Sequence, residues 1–157
     1  MVEYLGLRDV RVVEPDSTDL ARHDPHSDLW RHEPDWCCQI RKTDPLALAL
    51  EGFDAWINGR KQYQGGSRST LPTLEADLAT DRIKINPLAR WSLEDVRLYR
   101  RLRNLPLHPL VTKGFSSIGC APCTKPTAND ESGRSGRWSG LDKTECGIHG
   151  ANTRLPH

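Results

Sequence analysis

The chain has 157 residues, 36% hydrophobic and 27% charged, and its 22 basic side chains nearly cancel its 21 acidic ones, leaving a formal net charge of +1. A mean hydropathy of −0.63, with no apolar run near the roughly 18 residues that a membrane span needs, excludes a transmembrane helix. The acidic, proline-bearing start MVEYLGLRDVRVVEPD does not read as a signal peptide, so a soluble, cytoplasmic protein of one ordinary domain is expected. Near-neutrality argues against a surface built for nucleic acid, and any anion must be held by a local pocket. Eleven prolines, twelve glycines and two phenylalanines leave a lean core, which suggests that some surface packs against another chain or against sequence absent here.

Residues 10 to 13 (VRVV) form a short β-branched run closed by Glu14-Pro15, read as a buried strand. Residues 19 to 36, with two prolines and histidines 23, 26 and 32, have no sustained period and read as loop with short helical turns. The histidine spacing fits no catalytic zinc motif. Asp35 stands where an N-cap would, before WCCQIRK, and Pro45 followed by LALALEG suggests a second short helix stopped by Gly52. Residues 53 to 57 are a strand candidate, Asn58-Gly59-Arg60-Lys61 a turn, residues 62 to 69 a polar loop, and residues 83 to 85 another strand. Ser92-Leu-Glu-Asp95 is a helix start with a box-like acid at its fourth position, and it puts Val96, Tyr99 and Leu102 on one face. From residue 114 to 140 the chain is rich in Gly, Ser, Pro and Thr and reads as irregular unless something ties it down. The expected division is therefore 1–113, an α/β part, and 114–157, a cysteine-bearing tail. No internal repeat or coiled-coil heptad is visible.

Five cysteines are an odd number, which rules out a closed disulfide framework and favours thiol or metal chemistry. Cys37 and Cys38 are adjacent and Cys120 and Cys123 form a C-x-x-C, so two pairs separated by some eighty residues offer four thiolates. Adjacent cysteines reach one small tetrahedral zinc ion with difficulty, whereas a [4Fe-4S] cubane spreads its irons and can take both. Spacing alone leaves the cluster, zinc and reduced structural cysteines open, with the cluster favoured. Cys146, in Lys143-Thr-Glu-Cys-Gly-Ile-His149, is a nucleophile candidate with a lysine and a histidine near in sequence; the alternative is an incidental surface thiol. Basic residues form three groups, Arg41-Lys42, Arg60-Lys61 with Arg68, and Arg134 with Arg137. All flank glycine-rich or cysteine-bearing segments, as an anion pocket built from loops requires. Gly65-Gly66-Ser67 is no Walker loop.

The combination Cys37-Cys38-x-x-Arg41-Lys42, Trp56-Ile-Asn-Gly-Arg-Lys61, Ile83-Lys-Ile-Asn-Pro-Leu88, Gly119-Cys120-x-Pro-Cys123-Thr124, Gly136-Arg137-Trp138 and Glu145-Cys-Gly-Ile-His149 resembles the assimilatory adenylylsulfate/phosphoadenylylsulfate reductases. The six ordered motifs run from about residue 4 to residue 149 and correspond to roughly the last three fifths of the family's usual length. The resemblance implies an α/β fold of the adenine-nucleotide α-hydrolase type, with a parallel sheet and helices, incomplete here, and an irregular tail that folds over the active site. It implies that Cys146 as thiolate takes the sulfonyl group from adenylylsulfate, that thioredoxin or glutaredoxin acting in trans frees sulfite, and that Cys37, Cys38, Cys120 and Cys123 hold a [4Fe-4S] cluster. Lys42, Lys61, Arg134, Arg137 and His149 match substrate-binding positions. Members with all four cluster cysteines prefer adenylylsulfate over its 3′-phosphorylated form. The family's glycine-rich phosphate loop has no counterpart, so impaired activity is expected; a homo-oligomer or a separate N-terminal half are further expectations. The competing reading is a non-catalytic iron–sulfur or zinc-binding module.

Overall fold

The structure is a computed structural model and describes residues 2–77, 80–127 and 133–149. It is α/β and divides into two compact units, Met1–Gly52 with Glu145–His157, and Phe53–Thr144. The tail beyond residue 149, and residues 128–132 of the stretch expected to be irregular, lie outside the described residues.

The first unit is helical: α1 (Val2–Leu5), α2 (Ser17–His23), α3 (Leu29–His32), α4 (Pro34–Cys38), a π-helical turn (Gln39–Thr43) and α5 (Asp44–Ala49). Asp16 caps α2, its carboxylate accepting from the amides of Thr18 and Asp19. The expected N-cap at Asp35 is displaced: Pro34 occupies the first turn of α4, and Glu33 precedes it without a side-chain cap. Nor do residues 34 to 49 break into two separate helices. Pro45 has no N–H and its ring would clash with the preceding turn, so the ribbon widens just before it. The Asp44 amide reaches back five residues to the Gln39 carbonyl, and the Gln39 amide side chain braces the Asp44 carboxylate at 2.5 Å.

Residues 10 to 13, expected to form a buried strand, form none. They are exposed, Val12 at 84%. A strand needs a hydrogen-bonded neighbour, and none among the described residues pairs with this one.

The second unit holds a three-stranded sheet in the order β1-β3-β2, with β1 Ala55–Ile57, β2 Leu74–Asp77 and β3 Arg82–Ile85. β1 pairs parallel with β3, as expected, while β2 pairs antiparallel, so the sheet is mixed. Sequence reading missed β2, whose LEAD carries little β propensity. Register puts Trp56, Lys84 and Glu75 on one face and Ala55, Ile83 and Ala76, with Ile57, Ile85 and Leu74, on the other. The charged face is the buried one: Lys84 pairs with Asp77 at 2.9 Å, and Arg60 bonds Glu75 and the fully buried Asn86. Helix α6 (Leu93–Leu102) starts as expected, with Ser92 and Asp95 in a reciprocal capping box. Its proposed apolar face is only partly covered, with Leu102 71% exposed.

In the first unit one buried ion pair fixes the chain between α2 and α3 to the cysteine-bearing ribbon. The Asp24 carboxylate, 1% exposed, accepts from Arg41 at 2.5 Å and from the Leu29 amide at 3.0 Å. Burial pushes its pKa up, but these hydrogen bonds and the Arg41 charge outweigh that and hold it below the usual 3.8. The pair therefore contributes fully above the unfolded carboxylate value and is lost as pH falls through the lower folded one. Asp24→Asn should cost about 2 kcal/mol at neutral pH, and the difference from wild type should vanish on acid titration below the folded value; thermal melts at a series of pH values measure both.

Candidate functional site

In the second unit, the C-x-x-C forms a 3-10 turn over Ala121–Cys123, with Pro122 in its first turn and the Thr124 hydroxyl donating to the Cys120 carbonyl at 2.8 Å. Thr124 forms an antiparallel bridge with Arg137, the Lys125 amide donates to Gly136 O and the Trp138 amide to Cys123 O. The C-x-x-C turn and Gly136-Arg137-Trp138 are thus one braced structure. Two glycines permit the close approaches. A Cβ at Gly136 would strike the Lys125 carbonyl oxygen, and one at Gly119 would strike the Arg137 guanidinium.

Trp138 is 2% exposed, and three cations lie over its ring: Arg137 at 4.4 Å, Arg134 at 5.5 Å and Lys143 at 5.8 Å. The indole face offsets part of the mutual repulsion of the three charges. Main-chain oxygens orient the arms: Arg134 donates to Thr144 O at 2.9 Å and Arg137 to Ile118 O at 3.2 Å.

Arg134 and Arg137 open onto a cavity of about 540 Å³. Three more arginines line it: Arg68 from the loop after β1, and Arg97 and Arg100 from α6. Val96, Leu107 and Phe115 contribute an apolar wall, and among the described residues no carboxylate lines it. Arg68 is 8% exposed and donates to Gln64 Oε1 at 2.6 Å. Tyr63, also lining the cavity, has its phenol pKa raised by burial despite the nearby Arg97 charge. Five guanidiniums around one cavity favour a multivalent anion, and the apolar wall favours a ligand with a flat or apolar body.

Lys61 is beside this cavity in sequence but does not line it. Its Nζ donates to Gly59 O at 2.6 Å, and burial, together with the Arg68 charge, holds its pKa below the usual 10.5.

The first unit holds Cys37, Cys38, Lys42, Cys146 and His149. Cys37 and Cys38 sit on the last turn of α4, Cys38 buried and Cys37 half-buried; Lys42 lies on the π turn. Gly147, at φ +85°, places its backbone against that turn, where a Cβ would stand 3.7 Å from Thr43 Oγ1. Cys146 and His149 are half-buried. No disulfide joins any of the five cysteines. One cysteine pair lies in each unit, and among the described residues no three His, Cys, Asp or Glu side chains gather into a group that could hold a metal.

Sequence reasoning thus selected Arg134 and Arg137, which the structure brings together, but did not include Arg68 among the site residues and missed Arg97 and Arg100. The i, i+3 spacing of the latter pair shows a shared helix face. Nothing in the sequence says that this face looks onto the same cavity.

A thiol-bearing α/β domain with a cation-lined cavity is the class these features define. The chain belongs to the phosphoadenosine phosphosulfate reductase domain family, whose profile matches residues 1–126. It is 50% identical over 145 residues to an adenosine 5'-phosphosulfate reductase of Chelativorans sp. (strain BNC1), covering 92% of this chain and 58% of that protein. It is 42% identical over 147 residues to adenosine 5'-phosphosulfate reductase 1 of Bacillus subtilis (strain 168), covering 93% and 63%. Among solved structures it resembles the phosphoadenylyl-sulfate reductase of Candida auris in a phosphate complex, with a TM-score of 0.55 and 28% identity over 68% of this chain and 51% of that one. The fold is thus of the adenine-nucleotide α-hydrolase type. The chain spans about three fifths of the length of the curated relatives it matches. Among the described residues no helix is long and apolar enough to cross a membrane.

Gly119→Ala should push the Arg137 guanidinium from its place and weaken binding of pyrophosphate, a small multivalent anion, about tenfold, the loss of roughly one charge-assisted hydrogen bond. Gly136→Ala, which meets a main-chain oxygen instead, should lower the melting temperature. Calorimetric titration and thermal melts separate the two effects.

Proposed function

We propose that this chain carries the thiol and anion-binding machinery of a thioredoxin-dependent adenylylsulfate reductase of assimilatory sulfate reduction, acting in the cytoplasm where thiols stay reduced. The observation that carries the reading is the cavity lined by Arg68, Arg97, Arg100, Arg134 and Arg137 beside an apolar wall. It suits a nucleotide with a phosphosulfate end. Family membership and the reductase names of the relatives support it.

In the proposed reaction the arginines, with Lys42, Lys61 and His149, bind the negative charge of the phosphosulfate. The Cys146 thiolate attacks the sulfate sulfur. An S–S bond forms, the bond from sulfur to the bridging oxygen breaks, and AMP leaves with the electron pair. Fixed cations stabilise the charge that grows on the phosphate. A dithiol such as thioredoxin or glutaredoxin then attacks Cys146 Sγ. Sulfite leaves with the bonding electrons, and the second thiol resolves the mixed disulfide, so two electrons pass from the dithiol to the sulfonyl sulfur.

The donor set of Cys37, Cys38, Cys120 and Cys123, four soft thiols with none spent in a disulfide, suits an iron–sulfur cluster. When bound, a [4Fe-4S] cluster would be held by these thiolates and would supply a fixed charge. Anaerobic purification should give iron and labile sulfide in equal amounts. One zinc and no sulfide would replace the cluster with a structural metal and favour a non-catalytic module.

Incubated with adenylylsulfate and no dithiol, the protein should gain roughly 80 Da on Cys146, the mass of SO₃, and lose it on addition of thioredoxin. Cys146→Ser should show no adduct. An adduct on another cysteine, or sulfite release by the variant, would remove Cys146 from the role.

A further inference from the structure

We infer that the cavity of the Phe53–Thr144 unit binds a chain of condensed phosphates, and that Arg97 and Arg100 on α6 are the residues that select it. The two arginines line the cavity together with Arg68, Arg134 and Arg137, and among the described residues no carboxylate does. Arg97, Arg100 and Arg137 form no ion pair among the described residues. Like charges held around one space repel one another until an anion enters. The phosphosulfate end of the proposed substrate brings one negative charge on phosphorus and one on sulfur, fewer than half of what the guanidiniums offer. A triphosphate chain, whose terminal group alone approaches a dianion at neutral pH, brings nearly twice as many.

Placement points the same way. Arg97 and Arg100 are three apart on one helix, so their side chains leave the same face about 5 to 6 Å from each other. That spacing suits neighbouring phosphates of a chain better than the oxygens of one tetrahedral ion. The pair comes from a different element than Arg134 and Arg137, and the Arg100 Nη1 is turned by donating to the Leu105 carbonyl at 3.4 Å. Tyr63 adds a neutral donor: burial holds its phenol above the usual 10.0 despite the Arg97 charge, so it meets a phosphate oxygen as O–H and not as phenolate. At about 540 Å³ the cavity is of the size that holds one small molecule rather than a polymer, and its apolar wall gives a nucleoside a surface to lie on. The chain can thus be free or carried by a nucleotide. With no carboxylate among the described residues to share a magnesium ion, the site favours the metal-free chain. Occupied in this way, the cavity excludes the phosphosulfate; that consequence rests on the proposed reaction, whereas the binding itself does not.

Calorimetric titration of the 157-residue protein with pyrophosphate, tripolyphosphate, AMP and ATP tests this without turnover, so the inference can fail while the proposed reaction stands. Affinity is expected to rise about tenfold from pyrophosphate to tripolyphosphate, and at least as much from AMP to ATP, and to fall when magnesium is added. The double variant Arg97→Gln/Arg100→Gln should lose most of the gain that the third phosphate brings. Arg101→Gln/Arg103→Gln, the next cations of the same segment, which do not line the cavity, should keep it. Glutamine is a good helix former, and thermal melts check that both variants fold; the order of affinities on the unmodified protein needs no variant. ATP binding above tripolyphosphate would support the inference with a nucleotide as the source of the chain, and the reverse order would support it with a free chain. Equal affinities for pyrophosphate and tripolyphosphate, a requirement for magnesium, or an equal loss in the two double variants would each overturn it.

Discussion

Three positive charges gather on one buried indole, and the cysteine-bearing segment of the second unit is arranged around it. Trp138 is buried at φ +50°, a backbone region costly for a large side chain, and its amide N–H donates a hydrogen bond to the Cys123 carbonyl. From this anchor Arg137 runs back to bridge Thr124, Arg134 reaches Thr144 and Lys143 closes the third side. The C-x-x-C turn and the cationic arms of the cavity are therefore built on the same few main-chain bonds, and the glycines at 119 and 136 are required because side chain and backbone pass there without room for a Cβ.

The first unit is organised by a different constraint, a proline inside a helical ribbon. The wide turn that accommodates Pro45 also carries Arg41, Lys42 and Thr43. Arg41 is drawn to Asp24, and Thr43 meets the backbone of Gly147. A local irregularity forced by one residue thus places the segment after the cysteine pair and gives the Cys146 loop a surface to lie against. Wide turns of this type are frequent at functional positions for the same reason: they break the regular spacing of side chains.

What the sequence made legible is what local chemistry decides. Ser92 and Asp95 satisfy each other's backbone, so that helix start could be read without knowing the fold. The β-branched and aromatic character of residues 53 to 57 and 83 to 85 marked two strands. What failed depended on distant partners. Val10 to Val13 have strand sequence but no strand beside them among the described residues, and Leu74–Asp77 is a strand because β3 accepts it, not because Leu-Glu-Ala-Asp prefers one. Pro45 has the sequence signature of a helix start, but a widened turn lets the helix run through it. At the site, Arg134 and Arg137 were visible beside a cysteine motif; Arg97 and Arg100 belong to a helix whose facing cannot be known before the chain is folded.

The near-balance of charge in this chain has a kinetic side. A net charge of +1 gives no long-range pull on polyanions, yet five guanidiniums around one apolar-walled cavity concentrate field lines at a single mouth. A small multivalent anion entering that mouth meets several fixed positive charges at once. Ionic strength acts on the far field and on the cavity differently: screening within about 10 Å leaves the far field of an almost neutral molecule nearly as it was and shortens the reach of the cavity. The pull of the cavity on an anion is therefore expected to depend on the surrounding salt more than on the sum of the chain's charges.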